Sequence, residues 1–312
     1  MSFSSDVKQE LTAIKDIPSC CLHAMTYGML LFGRAFNSRN ISIMTEHECV
    51  AQMYCSLINK DIGVSVKINQ SSAGKYSINI ENKETINKIL SSFSVNGNES
   101  VTRINRGNLL NEHEDDSLEI LNCCNSAFLR GAFLSCGTIT DPNKGYHLEF
   151  VVPFKILSMD LMKILTEYGI SAKHMLRRGV NVIYIKESES IEDLLNIIGA
   201  KLSAFEIMNI KIYKDIRNTV NRQTNFSFAN ISRTAGAACK QIDEIEKLKE
   251  KGWFSRLDED LQSFAELRIE NPEASLRELG EMCDPPISRS AVNHKLKKIS
   301  NFLQQCLAGN IE

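Results

Sequence analysis

The residues best suited to chemistry lie in the last helix that the apolar pattern predicts. Val292, Leu296 and Ile299 recur at helical spacing and would form its buried side. No acidic residue occurs between Asp284 and Glu312. Arginine and lysine bind phosphates or guanine, and asparagine pairs with adenine through two hydrogen bonds. We therefore predict that the opposite side binds double-stranded DNA through Arg289, Ser290, Asn293, His294, Lys295, Lys297 and Lys298.

The elements that would position this helix also follow from the sequence. Ser275 and Glu278 have the spacing of a capping box, which predicts a short helix. Asp284-Pro285-Pro286 then forces a break, and Ser288 can cap the basic helix. This order is typical of a helix-turn-helix. A small three-helix bundle with a solvated charged face is the alternative, and the acid-free surface favours DNA binding.

An internal repeat organises the residues before this module. Cys20-Cys21 and Cys123-Cys124 are each followed by an alanine and a glycine at one constant offset, with the glycines at Gly28 and Gly131. Each copy predicts a helix, a strand, a helix, a hairpin and a helix. The strand-like segments are residues 40–44, 64–68 and 76–80 in the first copy and 146–152, 171–175 and 180–185 in the second.

The repeat predicts an α+β fold with two crossing helices. Glycine inside a helix costs roughly 0.5–1 kcal/mol relative to alanine, so Gly28 and Gly131 indicate a close approach of two backbones at a pseudo-twofold axis. The resulting saddle resembles the LAGLIDADG homing-endonuclease fold. In that family each helix ends in an acid that holds a divalent metal. The corresponding residues here are Gly33 and Cys136, so we expect no catalytic residue, and Asp141 is interpreted as a turn residue.

The ten cysteines predict neither disulfides nor a metal site. There is no Cys-x-x-Cys spacing, and adjacent cysteines rarely form a good bridge. His23 near the first pair suggests zinc, but the second pair has no equivalent histidine. We expect buried thiols in a reducing cytoplasm, with no metal and no cofactor.

Two polar segments separate the predicted domains. Residues 111–116 are acidic and are interpreted as a solvated loop between the half-repeats. Residues 217–230 are rich in asparagine and arginine and are interpreted as caps and turns, with a phosphate contact through Arg217 or Arg222 as the alternative. We predict a LAGLIDADG-like domain over 1–215 with halves of about 1–100 and 117–215, a helical connector over 216–254, and a helix-turn-helix domain over 255–312.

Composition excludes several classes of function. The chain has 312 residues, a formal net charge of −2 and a pI of about 6.3, so bulk attraction to DNA or to anionic membranes is excluded as the main driving force. No apolar run is long enough to span a membrane, and the first residues do not have the pattern of a signal peptide. We expect no membrane partner and no small-molecule substrate.

The chain resembles the WhiA family of bacterial DNA-binding regulators, which is linked to sporulation, cell division and chromosome segregation. The resemblance runs from near residue 1 to about 305. Its most specific stretches are residues 127–134, 145–149, 221–225, 272–279 and 287–295. It implies a degenerate LAGLIDADG domain without catalysis, joined to a helix-turn-helix similar to the promoter-recognising domain of sigma factors. The chain departs from the family pattern at Met25, where many relatives have an acid, and at Phe226-Ser227, where Cys-Asp is more usual.

Three hypotheses of function follow. The preferred one is a non-enzymatic, sequence-specific transcription regulator located at the nucleoid. The second is an adaptor that contacts a sigma factor or RNA polymerase and binds DNA weakly, and the third is an active homing-type endonuclease. Exposed basic residues of the saddle would supply a secondary DNA contact, chiefly Arg177 and Arg178, with Arg103, Arg106 and Lys173 as further candidates.

Overall fold

The computed structural model describes residues 2–72, 74–95, 101–109 and 118–308. Within these residues the chain forms two compact units, Met1–Lys214 and Asp215–Glu312. The loop predicted at residues 111–116 lies outside the described residues. None of the described helices is long and apolar enough to cross a membrane.

The first half of the saddle is a four-stranded antiparallel sheet with its helices. The sheet has the order β1-β2-β4-β3, and Ile43 of β2 lies opposite Ile78 of β4. Gly63 has a left-handed backbone and ends α3, as its position in the sequence predicts. The elements are α1 (Phe3–Thr12), α2 (Ser19–Leu31), β1 (Ala35–Phe36), β2 (Ile41–Thr45), α3 (Glu48–Ile62), β3 (Asn69–Gln70), β4 (Tyr76–Ile80) and α4 (Lys83–Ser92).

The second half repeats this arrangement. Its sheet has the equivalent order β5-β6-β8-β7 and is again antiparallel, so the internal repeat predicted from the sequence is confirmed. A short 3-10 helix at Arg106–Leu109 precedes it. The elements are α5 (Leu118–Cys136), β5 (Gly137–Ile139), β6 (Leu148–Val152), α6 (Lys155–Glu167), β7 (Lys173–Arg177), β8 (Val180–Ile185) and α7 (Ser188–Ile198).

The two halves meet where α2 crosses α5. A Cβ at Gly28 would collide with the carbonyl oxygen of Phe128, and a Cβ at Gly131 would lie 2.9 Å from the amide nitrogen of Met29. Ser135 Oγ also donates a hydrogen bond to the carbonyl oxygen of Met29, at 2.8 Å. The close approach predicted from the two glycines is therefore confirmed, and only residues without a side chain permit it.

Three features of the saddle differ from the sequence interpretation. Residues 64–68 form no strand, because Val64 and Val66 pack against the core without a hydrogen-bonded partner strand, and β3 lies at Asn69–Gln70 instead. The strands β1 and β5 are only two and three residues long, too short for an alternating pattern. The amphipathic helix α1 was not predicted, although Val7 and Leu11 are fully buried.

The interpretation of residues 217–230 as caps and turns is wrong. They lie inside α8, which extends without interruption over Lys201–Glu250. The segment from Lys201 to Ala235 contains neither glycine nor proline. Asparagine and threonine have modest helix propensity but do not break a helix that good formers surround. The side chains of 217–230 are exposed, so the helix there depends on local hydrogen bonds.

The second unit is a small helical bundle. A 3-10 turn at Phe254–Arg256 leads to α9 (Glu259–Glu270), α10 (Leu276–Glu281) and α11 (Arg289–Leu307). The apolar face predicted for α11 is buried, which confirms the periodicity argument for this helix. Its core contains Ile245, Leu248, Leu257, Leu261, Phe264, Leu279, Val292, Leu296, Ile299 and Leu303.

Candidate nucleic-acid interface

The turn before α11 is fixed by two caps that the sequence predicts. Ser275 Oγ accepts a hydrogen bond from the Glu278 amide, and a Glu278 carboxylate oxygen accepts one from the Ser275 amide at 2.7 Å. This is the predicted capping box. Ser288 caps α11 by accepting from the Ala291 amide. Both helices therefore begin at defined residues, and the start of α11 is held at the surface.

The orientation of α11 follows from its buried stripe. Val292, Leu296 and Ile299 are at most 6% exposed and face the bundle core. The remaining sides of the helix therefore face solvent. Among the predicted DNA-binding residues, those with exposed side chains are Arg289, Ser290, Asn293, His294, Lys297 and Lys298. We call these residues the α11 face.

Lys295 has a different environment from the rest of the predicted set. Its ammonium nitrogen pairs with a carboxylate oxygen of Asp260, and its side chain is only 19% exposed. The same nitrogen lies 5.7 Å from the ring centroid of Phe264, within the range of a cation–π contact. Lys295 thus links α11 to α9, and the periodicity of α11 alone could not show this.

Arg268 supports the turn between α9 and α10 and was not predicted. It is 1% exposed. Its guanidinium donates to the carbonyl oxygens of Ala274 and Pro272, at 2.7 and 2.6 Å. Burial lowers its pKa. The sequence does contain a signal for this role, because Arg268 stands among the apolar residues of α9, one helical turn before Pro272.

A basic cleft lies beside this turn, within the second unit. It has a volume of about 430 Å³, and Arg233, Arg277 and Arg289 line it. Arg277 also pairs with Glu281, at 2.9 Å. Arg289 therefore belongs both to the α11 face and to a cationic concavity. Arg233 and Arg277 are candidate phosphate contacts that the sequence analysis missed, because Arg233 lies on α8, far from the turn in the sequence.

Two of the five basic residues proposed for the saddle, Arg177 and Arg106, pair with acids. Arg177 makes two hydrogen bonds to Glu149, at 2.8 and 3.1 Å, and lowers the pKa of that carboxyl. Arg106 makes two hydrogen bonds to Glu167, at 2.6 and 3.0 Å. Arg178 occupies the two-residue turn between β7 and β8 with a positive φ of 51° and is exposed. Arg103 and Lys173 are exposed as well.

The positions where a LAGLIDADG nuclease has its acids do not fit a divalent cation. Gly33 has no side chain, and burial raises the pKa of the Cys136 thiol to about 12. Lys8 is 5% exposed and lies close enough to Cys136 to interact with it electrostatically. Mg²⁺ requires anionic or carbonyl oxygens, and a buried ammonium nearby opposes it. The side chains at these two positions therefore supply no ligand for two-metal phosphodiester chemistry.

The two cysteine pairs come together in the fold, which the sequence analysis did not predict. The sulfur atoms of Cys20, Cys21, Cys123 and Cys124 all lie within 4.8 Å of one another. His23 is directed elsewhere: its Nδ1 lies 3.1 Å from Asp61, and its ring stacks on Phe93. The expectation of no metal site was argued from spacing along the chain, which does not show that the two pairs meet in the fold.

Comparison with known proteins gives consistent matches along the chain. The WhiA LAGLIDADG-like domain matches residues 125–217, and the WhiA C-terminal HTH domain matches residues 220–303. A probable cell division protein WhiA from Ruminiclostridium cellulolyticum is 36% identical over 99% of both chains, and one from Clostridium tetani is 35% identical over 98% of both. The crystal structure of full-length WhiA from Thermatoga maritima aligns with a TM-score of 0.60 and 26% identity, covering 98% of this chain and 99% of that one.

Proposed function

The chain belongs to the WhiA family, and from this membership we propose that it is a sequence-specific DNA-binding transcription regulator that acts in cell division and does not cleave DNA. The proposal rests on the α11 face. Among the described residues, no carboxylate pairs with Arg289, Lys297 or Lys298. Since the whole chain has a net charge of −2, this local surface supplies the attraction to phosphates.

We propose different tasks for the two ends of the α11 face. In helix-turn-helix proteins the N-terminal residues of the recognition helix contact base edges in the major groove. Arg289 and Asn293 lie in the first two turns and can make two-point contacts with guanine and adenine. Lys297 and Lys298 lie farther along and suit phosphates, while Ser290 and His294 can bond either. Arg233 and Arg277, beside Arg289, extend the phosphate contact.

The saddle supports the proposal that the protein is not an enzyme. Gly33 and Cys136 supply no oxygen ligand, and Lys8 places a cation near Cys136. The LAGLIDADG-like fold of the saddle would then serve as a structural scaffold without catalysis. We place the protein at the nucleoid in the cytoplasm, with promoter DNA as its partner.

Titration of the full chain tests DNA binding. Genomic fragments first identify a preferred duplex, and a scrambled duplex is the reference. Lys297→Ala and Lys298→Ala should each lower the slope of log affinity against log salt by about one on both duplexes. Arg289→Ala and Asn293→Ala should cost roughly 1–3 kcal/mol, mainly on the preferred duplex. Lys251→Ala is the matched control, an exposed lysine of the same unit outside α11.

Two outcomes would contradict this assignment. If none of the α11 variants changes affinity while Arg177→Ala or Arg178→Ala does, the saddle binds the DNA. If the chain shows no preference between the duplexes and instead binds RNA polymerase or a sigma factor, the adaptor hypothesis replaces the regulator.

A cleavage assay tests the absence of nuclease activity. We expect plasmid and target duplex to remain intact after incubation with the protein and Mg²⁺ or Mn²⁺. Specific nicking that persists through further purification, and that Asp141→Asn abolishes, would show that the chain is an enzyme.

A further inference from the structure

The thiol cluster forms where the two half-repeats meet. Cys20 and Cys21 lie in the first turn of α2, and their counterparts in the repeat, Cys123 and Cys124, lie in the second turn of α5. Cys20, Cys21 and Cys124 are at most 7% exposed, and Cys123 is partly exposed. Gly33 and Cys136, at the opposite ends of these helices, mark where a nuclease of this fold has its acids. The cluster is therefore a separate site.

The dimensions of the cluster suit one tetrahedral ion. A Zn–S bond of about 2.3 Å places the four sulfur atoms of a tetrahedral site about 3.8 Å apart. All four sulfur atoms here lie within 4.8 Å of one another. Small rotations of the side chains can close the remaining distance. Thiolates are soft donors that prefer Zn²⁺ to Mg²⁺ or Ca²⁺.

Positive charge lies beside the cluster. A metal ion displaces the protons of the thiols when it binds. Arg130 is close enough to Cys21 to interact with it electrostatically, and the N-terminus of α2 favours negative charge on Cys20 and Cys21. These groups offset the negative charge of a tetrathiolate site.

We propose that Cys20, Cys21, Cys123 and Cys124 bind one Zn²⁺ ion that cross-links α2 to α5 and so joins the two half-repeats. The ion has a structural role, because four protein ligands leave no open position for substrate. The site is independent of the α11 face, so its failure would leave the proposed function unaffected.

Metal analysis of the full chain is the direct test. Protein purified with reductant and without chelator should contain about one Zn²⁺ per chain. Replacement by Co²⁺ should give the intense visible bands of a tetrahedral site together with near-ultraviolet thiolate charge-transfer bands. Cys21→Ser and Cys124→Ser should reduce the zinc content to about a tenth or less. Cys55→Ser is the matched control, a partly buried cysteine of the same unit outside the cluster, and should retain the metal.

A second measurement covers variants that fail to fold. The unmodified chain is stripped with a chelator under reductant and then titrated with Zn²⁺ alone. We expect restored stoichiometric binding and a rise in the thermal midpoint followed by far-ultraviolet circular dichroism. Reduced, folded chain that binds no Zn²⁺ would overturn the proposal. So would folded Cys21→Ser and Cys124→Ser variants that keep their zinc, or a disulfide within the cluster that persists under reductant.

Discussion

The α11 face and the open sheet face of the second half-repeat both contain arginines proposed to contact DNA, yet their surfaces differ. The α11 face combines exposed cations with amide and hydroxyl groups. The sheet face exposes apolar side chains instead: Val151, Met175 and Val180 are 38%, 42% and 39% exposed. Arg177, at the end of the edge strand β7, is held by Glu149.

This difference shows that exposed charge alone does not indicate a phosphate site. A cation that already pairs with a carboxylate must give up that pair before it can bind phosphate, and the remaining acid then repels the DNA. An unpaired lysine on a helix gives up only hydration and counterions. We therefore expect the saddle to contribute stability and the α11 face to contribute affinity.

The largest effect should follow Gly131→Ala in the saddle. The new methyl group would collide with the backbone of α2 and should destabilise the first unit by about 3 kcal/mol. The identical change Gly236→Ala is the control, because nothing lies within 4 Å of a Cβ at that position. This substitution should stabilise the helix by roughly 0.5–1 kcal/mol. Urea unfolding followed by circular dichroism measures both. Equal midpoints for Gly131→Ala and the unmodified chain would contradict the crossing geometry.

The second-largest effect concerns the turn between α9 and α10, which precedes the α11 face in the chain. Arg268→Met keeps the length of the side chain but leaves the carbonyl oxygens of Ala274 and Pro272 without a donor, at a cost of about 2 kcal/mol. The fluorescence of Trp253, the only tryptophan, reports on this unit because its side chain packs against the bundle core. Arg256→Met, at an exposed arginine, should change stability by less than about 0.5 kcal/mol. Equal destabilisation by both variants would show that Arg268 has no special role.

A smaller effect separates two lysines of one helix. Lys298→Ala should lower the salt slope of DNA binding by about one, whereas Lys295→Ala should leave the slope unchanged, because Lys295 pairs with Asp260. The same titrations measure both variants. If Lys295→Ala reduces the slope as much as Lys298→Ala does, Lys295 exchanges Asp260 for phosphate when DNA binds.

The smallest effect is expected in the sheet face. Arg177→Ala combined with Arg178→Ala should change DNA affinity by less than about twofold. Glu149→Gln is the complementary variant, because it releases Arg177 from its acid partner. An increase in affinity for Glu149→Gln that Arg177→Ala cancels would show that this face also approaches DNA.

Features that depend on neighbours along the chain followed from the sequence. The capping box at Ser275 and Glu278, the cap at Ser288 and the buried stripe of α11 involve residues three or four positions apart, and each was predicted. The internal repeat and the close approach at Gly28 and Gly131 were predicted as well, because they leave matched patterns at a constant offset. Local spacing determines the caps and the buried stripe, since helix geometry brings such residues together in any fold.

Other features depended on which elements pack together, and only the tertiary structure decided them. The crossing of α2 and α5 unites cysteine pairs that are far apart in the sequence into one cluster. The packing of α9 against α11 gives Lys295 its partner Asp260, and the pairing of β6, β8 and β7 places Glu149 beside Arg177. A sequence specifies the type and spacing of its charges and thiols, but their protonation and availability depend on burial and on partners that arrive from distant elements. The sequence therefore determined where the candidate DNA-binding helix lies, and the tertiary structure decided which of its cations are free of acid partners and where the thiols meet.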